Sequence, residues 1–307
     1  MTARTTSLSR LFALHVALLA AAAPLAAQSA DTDIFLAELH GHGSQLSVGT
    51  PVNVTARAGY DNQPWFIPGA AALLYVSERD GQHDVFRYDI ERRTSTRVTA
   101  TPEHEFSPTL SADGRDLLVV RWAPDMSTGA HWRYSPEGEP IGPMPGGVAR
   151  VGYYAVVDST AVAYFINDSL QTFVLLDPRT GESTRLGEGL GGSPPKAIPG
   201  ERAVSFFRQA ADSTWWIHRL DVATRESTPL VRALPGSTQY AWTPDGVLLM
   251  ASGNRLYAWN RARGEEWREI AAFDDPGLQA ITRIAVSPAG DRIAIVSAVG
   301  DGAGARP

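Results

Sequence analysis

A repeat constrains this sequence more than any other feature. Six segments each join a short apolar run, a tight turn and a second apolar run. They are WFIPGAAALLYVS from Trp65, TLSADGRDLLVVR from Thr109, YAVVDSTAVAYFI from Tyr154, AIPGERAVSFFR from Ala197, AWTPDGVLLMAS from Ala241 and IAVSPAGDRIAIVS from Ile284. The turn positions Pro68, Ala112, Val157, Pro199, Pro244 and Pro288 lie 42–45 residues apart, a period typical of propeller blades. In Pro244-Asp245-Gly246 the proline presets φ, the Asp bonds to nearby backbone, and the glycine takes a positive φ. The third repeat, Val157-Asp158-Ser159, lacks the glycine and is the weakest match.

Each pair of runs is followed by a third strand: DVFRYDI from Asp84, AHWRYSP from Ala130, TFVLLDP from Thr172, WWIHRLD from Trp215 and RLYAWNR from Arg255. A weaker fourth follows, clearest in STRVT from Ser95, STRLG from Ser183 and STPLV from Ser227. Each repeat is therefore a four-stranded antiparallel meander. The sixth repeat runs out after its second strand, while DIFLAEL from Asp33 and PVNVT from Pro51 precede the first repeat as an unattached third and fourth strand. The expected fold is all-β: a six-bladed β-propeller over residues 30–300, closed by N-terminal strands that complete the C-terminal blade and leave no open edge between the chain ends. Ile34 and Leu36 would face one neighbouring blade, and Phe35, Ala37 and Leu39 the other.

Residues 1–29 read as a secretory signal peptide. Arg4 and Arg10 precede an apolar run from Leu11 to Ala23, Pro24 breaks it, and small residues lead out. The run is short for a membrane span, so cleavage would leave no membrane anchor and no lipid-bearing cysteine, the chain having 0 Cys. Periplasmic or secreted localisation follows. Residues 301–307 read as a disordered tail. Formal net charge is −6, and losing the two signal arginines takes it to −8. An acidic surface with no basic patch argues against a nucleic-acid partner.

SPTLSADGRDLLVV (Ser107–Val120), YVSERDGQHDVFRYDI (Tyr75–Ile90) and STRVT together resemble the TolB-like, WD40-like (PD40-type) repeats of exported bacterial propellers. The resemblance spans the chain from about residue 31 to 300. It implies a six-bladed propeller that binds an envelope protein or peptide. TolB proper carries an α/β domain ahead of its propeller, for which this sequence leaves no room. Prolyl-oligopeptidase-type propellers look similar but accompany a hydrolase domain.

Fold does not specify function, so the site is sought separately. There is no G-x-S-x-G elbow, no H-E-x-x-H helix and no P-loop. No cofactor is implied. Segments entering the innermost strands should ring the channel mouth, which nominates Tyr60, Asp61, Asn62, Gln63, Glu105, Arg150, Tyr153, Gln239, Tyr240 and Arg283. Polar groups with aromatic rims at a concave opening suit a peptide, sugar or protein loop. The expected activity is non-enzymatic binding, and replacing Asp61 and Arg283 should weaken it with little change in the melt. The alternative is a propeller enzyme of the metal-dependent lactonase or hydrolase type, using the carboxylates Asp61 and Glu105 with Asn62. Glu38, His40 and His42 have strand-face spacing for a metal, although Gly41 and Gly43 suggest a solvent-facing turn. His83, His104, His131 and His218 fall on different blades and read as surface or hairpin residues.

Overall fold

Why the chain closes on itself is visible strand by strand. The computed structural model describes residues 31–299 apart from 191, 192, 238 and 265, so the signal-peptide and tail segments lie outside the described residues. Blade 1 comprises Asp61–Phe66, Ala72–Arg79, Gln82–Asp89 and Thr94–Arg97. Blade 2 comprises His104–Leu110, Leu117–Trp122, Gly129–Tyr134 and Pro140–Pro143. Blade 3 comprises Val151–Asp158, Ala161–Ile166, Phe173–Leu176 and Ser183–Gly187. Blade 4 comprises Lys196–Ala197, Ala203–Gln209, Trp215–Asp221 and Ser227–Arg232. Blade 5 comprises Tyr240–Trp242, Val247–Ser252, Arg255–Asn260 and Arg268–Ala272. All five are antiparallel meanders in chain order.

Blade 6 takes its first two strands, Ile281–Val286 and Arg292–Ala298, from one end of the chain and its third, Thr32–His40, from the other. The register runs from Thr32 opposite Ala298 to Glu38 opposite Arg292. The outer strand is split into Ser47–Val48 and Val52–Asn53, rather than being a single strand from Pro51. Pro51 has no N–H to donate, and Asn53 Oδ1 accepts from the backbone of Thr55 and Ala56, turning the chain away.

One apolar layer fills each interface between blades. Ile34 packs with Phe66, Leu73 and Tyr75 of blade 1. Its neighbour Phe35 packs on the other side with Leu249, Leu256 and Leu278 next to blade 5. The expected alternation of this strand is therefore the observed one. Second strands are covered on both faces; Ala161–Ile166 is buried throughout. Outer strands such as Thr94–Arg97 are exposed. In the glycine-poor turn of blade 3, the Asp158 carboxylate accepts from the Thr160 backbone and hydroxyl at 2.7 and 2.6 Å, holding the hairpin by side chain instead. The first strand of blade 4 is only two residues long, because Pro194, Pro195 and Pro199 flank it without donors.

Candidate functional site

First strands face a central channel, and bulges decide which of their side chains enter it. Pairing slips between Asn62 and Trp65, Phe106 and Thr109, Val151 and Tyr153, and Ile281 and Arg283. In blades 1 and 2 the bulged residues Gln63 and Ser107 have φ of 57° and 54°. Each precedes a proline that cannot donate to the ladder. Gln63, Ser107, Gln239 and Arg283 all lie five residues before their blade's turn position, so they are equivalent in the ring.

These bulges link blades across the channel. The Gln63 side-chain oxygen accepts from the backbone and hydroxyl of Ser107, and its amide donates to the Tyr60 hydroxyl at 3.1 Å. Arg283 of blade 6 donates from Nε to Asn62 Oδ1 at 3.1 Å and from Nη2 to the Tyr153 hydroxyl at 3.2 Å. Its guanidinium carbon lies 5.3 Å from the Tyr153 ring centre, a cation–π distance. Blades 6 and 3 are opposite one another, so this side chain spans the channel. Burial pushes the Tyr60 hydroxyl up to about 12, which keeps it protonated.

Lys196, on the short first strand of blade 4, completes the group. Burial, reinforced by the Arg283 charge, pulls its amine down to about 7. Lys196 is not among the residues nominated from the sequence, which include none from blade 4. Arg283, Lys196 and Arg150 take part in none of the ion pairs found among the described residues.

A cleft of about 480 Å³ opens beside the channel between blades 2 and 3. Gln63 and Tyr153 line it where it meets the channel, Arg150, Asn167 and Gln171 add polar edges, and Phe106, Trp122, Met126 and Phe165 supply apolar surface. Gly152 lines it too, and a Cβ there would come within 2.8 Å of the Phe165 ring. Arg150 is exposed and donates from Nε to the Asn167 carbonyl at 3.1 Å.

Three nominated residues sit elsewhere. Asp61 is fully buried at the seam with blade 6. It accepts from Arg57 Nη1 at 3.2 Å, and its backbone carbonyl accepts from the Thr32 hydroxyl at 3.0 Å. Burial pushes its carboxyl up to about 6, against the pull of the Ser77 hydroxyl and Arg57. Glu105 is fully buried between blades 1 and 2, accepting from Thr99 at 3.2 Å, from Tyr134 at 3.0 Å and from Thr101. Burial raises its carboxyl as well. Tyr240 is buried between blades 4 and 5 and donates to Ser205 at 3.0 Å. Strand alternation sends all three side chains to blade faces rather than to the channel. Gln239 is half-buried, and its side-chain oxygen has no partner among the described residues.

The expectation of a silent Asp61 replacement therefore changes. Asp61→Ala would leave the Arg57 guanidinium without its carboxylate, a loss of about 1–3 kcal/mol. The expected result is a melt lowered by several degrees with ligand affinity retained; an unchanged melt in calorimetry would contradict the seam role.

Other nominated residues do not converge. Glu38 and His40 sit exposed at the end of their strand, 3.5 Å apart. His42 lies beyond it, 3.9 Å from Asp245. Among the described residues no group of three His, Cys, Asp or Glu side chains is placed to hold a metal ion. Three of the four histidines singled out from the sequence differ from the surface reading. His83 and His104 meet with their Nδ1 atoms 3.3 Å apart, beside Tyr60 and Phe106. His131 is buried, with Nδ1 2.7 Å from the Tyr164 hydroxyl. Residues 21 apart in sequence carry no local signal of such pairing.

Six four-stranded blades closed through both chain ends define a six-bladed β-propeller, and its fold is TolB-like. The chain is similar to a protein provisionally assigned as TolB from Agrobacterium tumefaciens, with TM-score 0.65, 16% identity, and 88% of this chain and 98% of that one covered. It is similar also to TolB from Acinetobacter baumannii, with TM-score 0.53, 14% identity, and 87% of this chain and 64% of that one covered. An oligogalacturonate lyase in complex with manganese aligns with TM-score 0.52 and 14% identity over 82% of this chain and 80% of its own. No protein-family model and no curated protein matches the sequence.

Proposed function

We propose that this chain is an exported, non-enzymatic binding module that takes a peptide segment of another envelope protein at its channel mouth. The observation that carries the reading is the continuity of two surfaces. Polar side chains from blades 1, 3, 4 and 6 gather in the channel, and the cleft lined by Phe106, Trp122 and Phe165 joins them through Gln63 and Tyr153. An apolar floor beside a few oriented polar groups suits a short peptide. The likeness to TolB structures supports a protein partner. Export is supported by the basic, apolar and small-residue succession of residues 1–29. Among the described residues no helix is long and apolar enough to cross a membrane.

The enzyme alternative needs carboxylates convergent on the channel. Asp61 and Glu105, its expected donors, are instead bonded at separate blade interfaces.

A photo-crosslinking residue replacing Met126, which is 49% exposed at the cleft, should capture an envelope polypeptide in cells. The same residue replacing Val52, 59% exposed at the ring seam, should not. Arg283→Gln should reduce the Met126 capture while lowering the melt by no more than about 5 °C, since it gives up two hydrogen bonds to neutral acceptors, Asn62 and Tyr153. Equal capture at both positions, or capture indifferent to Arg283, would remove the support for this site.

A further inference from the structure

We infer that the channel holds a carboxylate of the bound peptide between Arg283 and Lys196, so that the ligand is an acidic segment. This rests on the peptide-binding reading above and adds the chemistry of its anchor. Two cations from blades 4 and 6 lie within each other's field and partly out of water. Burying positive charge is costly unless an anion or several acceptors compensate it.

Several other half-buried arginines find acids: Arg57 pairs with Asp61, Arg121 with Glu103, and Arg219 with Glu201 and Asp221. Arg283 finds only neutral acceptors, Asn62 and Tyr153, for two of its five N–H groups. The Lys196 backbone carbonyl accepts from the Ser205 hydroxyl, whereas its amine takes part in no hydrogen bond or ion pair found among the described residues. The two contacts Arg283 does make fix its plane while leaving donors for a ligand. Pre-orientation of this kind favours planar, charge-assisted recognition of a carboxylate.

The neighbouring cleft selects peptide over acidic sugar. Its surface at Phe106, Met126 and Phe165 would cover an apolar side chain next to the acid, as in an acidic–aromatic or acidic–aliphatic pair. The titratable groups of the channel are Lys196, Arg283, Tyr60 and Tyr153, with His83 and His104 beyond Tyr60. Burial and the Arg283 charge pull the Lys196 amine down to about 7, so a bound carboxylate would restore its proton. Binding should therefore take up a proton and weaken as pH rises through about 7.

The test titrates dye-labelled blocked hexapeptides by fluorescence anisotropy. One carries a central Glu-Leu pair, and its counterpart carries Gln-Leu. A short oligogalacturonate serves as third probe. The expected result is Glu binding at least about tenfold tighter than Gln, the worth of one charge-assisted contact. That advantage should shrink between pH 6 and pH 8.5 and vanish in an Arg283→Gln/Lys196→Gln double variant. Lys196→Arg should keep the affinity and lose its dependence on pH, which separates Lys196 from the histidines. Equal affinity for Glu and Gln peptides would overturn the carboxylate anchor and leave the peptide reading standing. Binding of oligogalacturonate through Arg283, with neither peptide bound, would overturn the peptide reading. Binding by none of the three overturns both. A double variant that melts more than about 5 °C lower would mean that the two cations stabilise the fold, which contradicts the inference; relief of their repulsion should offset the loss of the Arg283 bonds to Asn62 and Tyr153 and keep the melt within that range.

Discussion

Removal of residues 31–55 is expected to abolish the cooperative thermal transition of this protein. The strand Thr32–His40 is the third strand of blade 6, and its loss would leave Arg292–Ala298 an uncovered edge. It would also strip Ile34 from the interface with blade 1, and Phe35, Ala37 and Leu39 from the interface with blade 5. Each of the larger side chains contributes roughly 1.5–3 kcal/mol by burial, against a total domain stability of about 5–15 kcal/mol. Two interfaces of a closed ring would open together, so the loss exceeds that of one terminal strand in an open sheet. Phe35→Ala gives a graded version. Its ring tip sits 2.8 Å from where a Cβ on Gly277 would lie, so the turn Pro276–Leu278 is fitted to it. A cost of about 3–5 kcal/mol is expected, read as a melt lowered by roughly 10 °C. Attaching residues 31–55 after residue 299 through a short linker should restore the transition. A truncated protein that melts cooperatively near the full-length temperature would refute the closure.

Stability should fall in acid through His131, and His131→Gln should remove much of that fall. The imidazole is buried against Tyr154 and Tyr164, and burial pulls it from 6.5 down to about 3. The folded state therefore binds fewer protons than the unfolded state between these values. Its contribution is complete above about pH 6.5 and declines as pH drops toward 3, reaching roughly 3 kcal/mol at pH 4. Asp61 has the opposite sign. Its carboxyl, raised to about 6 by burial, favours the folded state below its unfolded value of 3.8, and that contribution is lost as pH rises through 6. The two partly cancel between pH 4 and 7, giving a shallow profile in the parent. Denaturant titrations from pH 4 to 8 should show the His131→Gln variant more stable in acid relative to its own pH 7 value. An identical pH slope in parent and variant would contradict the assignment.

The blades were readable because their determinants are local. Pro244-Asp245-Gly246 encodes its hairpin within three residues, and the apolar runs on either side span single strands. Ring closure also followed from counting strands, since an unattached third strand at one end matched an unfinished blade at the other. The channel was only partly readable. Tyr60, Asn62, Gln63, Tyr153 and Arg283 were nominated, and they meet through hydrogen bonds and the Arg283–Tyr153 contact. Asp61 and Glu105 were nominated on the same segments but turn to blade faces, and Lys196 was passed over.

The sequence by itself determined the number of blades, their strand order and the pairing of the two chain ends. Turn chemistry and apolar periodicity act over a few residues and need no partner to be recognised. Only the tertiary structure decided which side chains share the channel and with what charge. A bulge at Gln63 or Ser107 resets the alternation of its strand. Whether Arg283 meets an acid, or an asparagine and a tyrosine from other blades, depends on contacts between residues more than a hundred positions apart, which exist only once the ring has closed.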